Sequence, residues 1–192
     1  LIAVFLDTET NGLDFRKHRI LELCFKVLSL SDKSVLATFD RIIAQPDEVW
    51  NSSDKTSLSI NGFKKEDLLA GISEIEAAKE IKQIFKKHDI HRKKAIFICQ
   101  NPSFDRAFFS QLIPPEEQER LFWPYHWLDL ASMFFGIYTH KTGKLPTDVG
   151  LSKDKIAAFY HLAPEAKPHR AINGVNHLID CYFSVIETSI SV

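Results

Sequence analysis

The sequence predicts an α/β fold: a mixed sheet of about five strands, antiparallel hairpins first and parallel strands after them, flanked by helices. Three observations predict it. Ile2 to Leu6 is a short, wholly apolar run, which suits a central strand buried on both faces. Two longer strand candidates follow across a turn. From Ser73 onward, stretches with helical spacing alternate with a second apolar run, Ala95 to Cys99. Strands first, then alternating helix and strand, then helices, is the order of a sheet with a hairpin on one side and helices over both faces.

Ile20 to Leu30 is the second strand. Ser31-Asp32-Lys33-Ser34 supplies the turn chemistry, and Val35 to Ala44 returns beside it as a hairpin. Ser73 and Glu76 form a capping box, behind which Ile75, Ala78, Ile81 and Phe85 recur at helical spacing up to about His88. The basic stretch Arg92-Lys93-Lys94 leads into the strand Ala95 to Cys99. A helix opens near Ser103, places Phe104, Ala107, Phe108 and Leu112 on one face, and stops at Pro114-Pro115. The segment Tyr125 to Tyr138 reads as a short strand running into a helix around Asp129. Ser152 caps a helix through Tyr160, and Pro168 precedes a last helix from Arg170 to Ile190. No repeat and no Gly-, Ser- or Pro-rich linker divides the chain, so residues 1–192 are expected to form one domain.

Composition narrows the function. At 45% hydrophobic and 26% charged residues, disordered, collagen-like and low-complexity classes are excluded. Lys+Arg 24 against Asp+Glu 25 leaves a net charge of -1, without the basic excess of a protein that wraps long stretches of nucleic-acid backbone. Any phosphate contact is therefore expected to be local or metal-mediated. Cys24, Cys99 and Cys181 are far apart and form no CxxC pair, the usage of reduced thiols in a reducing compartment. No apolar run approaches the ~18 residues that span a bilayer, and Leu1 to Leu6 lacks the basic flank of a signal peptide. The expectation is a cytoplasmic protein with no membrane partner. The chain opens without Met, so a residue or more is expected to precede Leu1.

Three clusters carry chemistry. In Asp7-Thr8-Glu9-Thr10-Asn11-Gly12-Leu13, the period of a strand puts Asp7 and Glu9 on one face at its end, before a Thr-rich turn. Two close carboxylates raise each other's pKa unless a cation sits between them, and hard divalent ions take such oxygen ligands. A solvated acidic pair is the plain alternative. Asp105, in Asn101-Pro102-Ser103-Phe104-Asp105, falls in the first turn of a helix, where it also suits the helix dipole. His169, in Pro168-His169-Arg170-Ala171, is either a helix-entry residue or a general base whose pKa near neutrality suits proton abstraction from water.

In order and spacing these clusters resemble the motifs of the DnaQ-like DEDDh family of 3'-5' exonucleases, a group that includes the proofreading subunit of bacterial DNA polymerase III, oligoribonuclease and ribonuclease T. Ile20-Leu21-Glu22-Leu23, Ile60-Asn61-Gly62 and Leu128-Asp129 add weaker echoes, so the resemblance runs from residue 2 to about 185. It implies a ribonuclease-H-like fold and two-metal hydrolysis. Asp7, Glu9 and Asp105 would hold two Mg²⁺ or Mn²⁺ ions about 4 Å apart. His169 would take the proton of the attacking water. Thr10, Asn11, Leu13 and Phe104 would bind the terminal nucleotide, although Leu13 and Phe104 also suit a plain core role. The implied partner is a nucleic-acid 3' end, DNA or RNA, with a polymerase or other protein as a further partner.

The family's last motif carries a second metal-binding Asp five residues after the His, where this chain has Gly174. Asn173, Asn176 and His177 beside it are not carboxylates, and Asp180 lies nearly opposite on the helix. Two functions are therefore expected in turn: a divalent-metal-dependent 3'-5' exonuclease on single-stranded DNA or short RNA, weakened at its second ion, or a catalytically inactive protein binding nucleic-acid ends or a partner protein. An Asp restored at position 174 is expected to cost the fold little, if the surface there is open, and to raise turnover.

Overall fold

A computed structural model of the chain describes residues 1–187. Its sheet has the order β3-β2-β1-β4-β5, formed by β1 (Ile2–Thr10), β2 (Ile20–Ser29), β3 (Val35–Ile42), β4 (Ala95–Cys99) and β5 (Trp127–Asp129). The pairs β1–β2 and β2–β3 are antiparallel, and β1–β4 and β4–β5 are parallel. Helices follow as α1 (Asp47–Asn51), α2 (Lys55–Asn61), α3 (Lys65–Leu69), α4 (Glu74–Lys87), α5 (Pro102–Leu112), α6 (Pro115–Arg120), α7 (Leu130–Thr142), α8 (Lys153–Phe159) and α9 (Ala171–Glu187).

The alternation of β1 explains why its sequence is apolar throughout. Val4 and Leu6 enter one core layer with Phe85 of α4 and Phe108 and Phe109 of α5. Ala3 and Phe5 enter the other, with Phe134 of α7, Ile156 of α8 and Val175 and Leu178 of α9. Each face is covered by helices, so each side chain of the strand is buried. Continued along the strand, the same alternation aims Asp7 and Glu9 at the α8–α9 layer and Thr8 at the α5 layer.

Several sequence expectations change. β1 runs on to Thr10, because Asp7, Thr8, Glu9 and Thr10 continue the ladder opposite Cys24, Leu23, Glu22 and Ile20. The expected Thr-rich turn is therefore strand, and it ends on a bulge between Glu9 and Thr10. The capping box of Ser73 and Glu76 is present, but Ile75 is 82% exposed and the buried face of α4 is Ala77, Ala78, Ile81 and Phe85. The helices α1, α2, α3 and α6 had no expectation, since five to seven residues are too few for a period to register. Ile190, the expected end of the last helix, lies outside the described residues. All three cysteines are buried and free. Among the described residues no helix is long and apolar enough to cross a membrane.

Candidate active site

Four segments meet where β1 leaves the sheet. Thr8 donates its hydroxyl to Asp105 Oδ1 at 2.9 Å, tying the first turn of α5 to the strand. Asp105 is almost wholly buried there, and burial first, then the charge of Asp7, raises its pKa well above the usual carboxylate range. Asp7 faces α9 across Gly174: a Cβ built on that glycine would lie 2.2 Å from Asp7 Oδ2. On the other side Lys153, the first residue of α8, brings its ammonium 3.5 Å from Asp7 Oδ1. That ammonium also lies 2.8 Å from Glu165 Oε2 and donates to the Gly174 carbonyl at 3.2 Å. Burial pushes Asp7 up and Lys153 pulls it back. Burial alone would lower Lys153, yet Asp7 and Glu165 hold it above the ordinary lysine value, so it is charged at neutral pH.

His169 stands beside this group, its Nδ1 3.2 Å from Glu165 Oε1. Its backbone is fixed at both ends. The His169 N–H donates to the Ile60 carbonyl, and the next residue, Arg170, grips the buried Glu22 of β2 through Nε and Nη2 at 3.1 and 2.7 Å. Glu22 also accepts the N–H of Ala171 at 2.7 Å, which anchors the start of α9 to the sheet.

Glu9 is half-buried and its pKa is raised to about 8, by burial first and then by Asp7, Glu22 and Glu165. A carboxyl raised above its unfolded value favours the protonated folded state. Its contribution to stability is complete below its ordinary value of 4.5 and is lost as the pH rises to about 8. Glu9→Gln is neutral throughout. The parent is therefore expected to lose on the order of 2 kcal/mol more than this variant between about pH 5 and about pH 8, allowing for solvent screening. Thermal unfolding of both across that range checks it; parallel curves would refute it.

The four residues that the resemblance assigns to the terminal nucleotide divide. Asn11 is fully buried and spent on structure: its amide donates to the Val49 carbonyl and Ser53, and its Oδ1 accepts the Arg19 N–H. Thr10 is buried, with its hydroxyl on the Gly12 carbonyl. Phe104 is half-buried against the α5 layer, its ring tilted on that of Phe108 with centroids 4.8 Å apart. Leu13, by contrast, is 77% exposed, so the core reading of that residue is corrected. It rides on a braced loop. The His18 ring fills the space over Gly12, and Gln111 of α5 donates to the carbonyls of Phe15 and His18.

The donor set does not fit a pair of divalent ions. Asp7 is turned to Lys153, and Gly174 has neither a ligand nor room for one. Among the described residues no group of three His, Cys, Asp or Glu side chains is arranged to hold a metal ion. Asp180 lines a cavity of about 230 Å³ with Glu165, Asn176 and His177. Sequence reasoning missed Lys153 and Glu165 altogether. The missing acid at position 174 was the one signal that Asp7 needed another counter-charge.

A mixed five-strand sheet whose central strand ends in this acidic pair, with helices on both faces, is the ribonuclease-H-like exonuclease fold. The RNase_T family model, described as Exonuclease, matches residues 4–180, and the chain belongs to that family. Ribonuclease T of Haemophilus influenzae is 27% identical over 190 residues, spanning 92% of this chain and 80% of that protein. Ribonuclease T of Vibrio campbellii is 28% identical over 137 residues, 68% of this chain, and the match spans 64% of that relative's length. The nuclease domain of 3'hExo, a DEDDh family member bound to rAMP, superposes with a TM-score of 0.70 at 11% identity, covering 98% of this chain and 93% of that one.

Proposed function

We propose that this exonuclease-family protein binds the 3' end of single-stranded DNA or short RNA at the Asp7, Glu9, Asp105 and His169 site, with the family's metal-dependent hydrolysis weakened or lost. Family membership supports the class of ligand. The observation that carries the rest is at Gly174, where the position of the fourth ligand is closed by Asp7 itself. The chain's own residues then act as a pocket. Leu13 offers an apolar face to the terminal base from its braced loop, and Phe104 stands at the edge of the α5 layer. On this reading the chain works as one domain in the cytoplasm, and its ligand is a nucleic-acid end rather than a membrane.

The reading is tested by fluorescence anisotropy of a 5'-labelled oligonucleotide, with competition by the same strand carrying a blocked 3' end. Strong preference for the free end is expected, and equal competition would sink the proposal. Leu13→Ala should leave the melting temperature within the equivalent of about 0.5 kcal/mol of the parent. It should weaken binding roughly tenfold, about 1.4 kcal/mol, the worth of partly burying one apolar side chain against the base. A variant that binds like the parent would remove Leu13 from the pocket.

A second reading, 3'-5' exonuclease activity with Mg²⁺ or Mn²⁺, is favoured by one observation: Asp7, Glu9, Asp105 and His169 are all present around the end of β1. His169, its ring next to Glu165, would then serve as general base, and His169→Ala would lower kcat far more than it raises KM.

A further inference from the structure

Lys153 has no place in the acid–histidine scheme of the site, yet it is the best-buried charged amine around it, with 12% of its side chain exposed. Its ammonium has three protons and three oxygen neighbours, each from a different segment: Asp7 of β1, Glu165 of the loop before His169, and the Gly174 carbonyl of α9. We propose that Lys153, steadied by Glu165, is a built-in cation that takes the place of a metal ion beside Asp7.

The surrounding sequence is consistent with one device. A divalent ion approaching Asp7 meets a fixed positive charge a few ångströms away, in a site where water screens little. Mg²⁺ also demands near-octahedral oxygen ligands at about 2.0–2.1 Å, and Glu165 Oε2 and the Gly174 carbonyl are already turned to Lys153. The side chain missing from Gly174 leaves room for Asp7 Oδ2 to lie against α9 while Oδ1 meets the ammonium. Glu165 joins the parts, with Oε2 on Lys153 and Oε1 on His169 Nδ1, so the imidazole is oriented by the same carboxylate that holds the cation. Asp7 thereby has a fixed counter-charge without metal. This rests on the reading of the site as a 3'-end pocket only for its biological meaning; the cation itself is tested by metal binding.

The test is a Mn²⁺ titration read by electron paramagnetic resonance of the free ion, with the Mn²⁺-induced shift in melting temperature as a second readout. The unaltered protein is expected to show no Asp7-dependent Mn²⁺ site up to about millimolar ion. Lys153→Met/Glu165→Gln, which removes one positive and one negative group together, should gain a site at least roughly tenfold tighter. That gain should disappear when Asp7→Asn is added. Lys153→Gln, which keeps a hydrogen-bonding side chain without the charge, should show the same gain. A tight Asp7-dependent Mn²⁺ site in the unaltered protein overturns the proposal whatever the variants do, and so does a folded variant with no gain. Failure of the unaltered protein to bind oligonucleotide would instead count against the 3'-end pocket and leave the Mn²⁺ result standing.

Discussion

Gly174→Asp is expected to lower the melting temperature sharply and to add no metal-dependent nuclease activity. From the sequence alone the opposite is expected, because Asp is a better helix former than Gly and the family carries an acid there. The packing reverses the sign. Gly174 is buried within α9, and its missing Cβ is where Asp7 Oδ2 lies, 2.2 Å from the ideal position. Asp7 cannot simply swing away, since its other oxygen faces Lys153. Overpacking costs typically 1–3 kcal/mol. A new carboxylate without a free cation, beside Asp7 and Glu165, adds to that. A total of about 3 kcal/mol or more corresponds to a fall of roughly 6–12 °C in a chain of this size. Gly174→Ala isolates the steric part and should fall by less. Thermal unfolding of both variants beside the parent measures it; a Gly174→Asp protein with the parental melting temperature would show that Asp7 has room to move.

Lys153→Met is expected to be the more damaging change of charge. It leaves Glu165, with 4% of its side chain exposed, and Asp7, with 17%, facing each other without their shared cation. Removing one partner of a buried ion pair typically costs 3–5 kcal/mol, because the remaining charge stays desolvated. Adding Glu165→Gln to the same protein should restore a good part of the loss. The coupling between the two positions, on the order of 1–3 kcal/mol, is obtained from denaturant unfolding of the parent, both single variants and the double variant. Additive losses would mean that Lys153 and Glu165 do not depend on each other.

What could be read in the sequence follows from the range of the interactions involved. β1, β2, β3 and β4, the capping box of α4 and a helix opening near Ser103 are local patterns of apolar period, turn chemistry and caps, and all are present, with β1 running four residues past Leu6, β3 ending two residues before Ala44 and α5 starting at Pro102. That Asp7, Glu9, Asp105 and His169 form one site is an expectation that rests on a resemblance in spacing. Position 174 was legible as an oddity but not as a contact, because the neighbour that matters, Asp7, is 167 residues earlier in the chain (174 minus 7). Lys153 and Glu165 carry no local signature. One opens a short helix capped by Ser152 and the other sits in a loop, and only the fold brings them to Asp7. The grip of Arg170 on Glu22 is hidden in the same way, across 148 residues.

The central claim is that this site receives a 3' end with its own lysine, rather than a metal ion, as the counter-charge of Asp7. Its most direct test is mononucleotide release from 3'-labelled DNA and RNA oligonucleotides, in Mn²⁺ and in EDTA, with binding followed in the same samples. The account predicts equal binding in both conditions and no release stimulated by Mn²⁺. Mononucleotide release that requires Mn²⁺ and stops in EDTA, at a rate that Asp7→Asn abolishes, would contradict it.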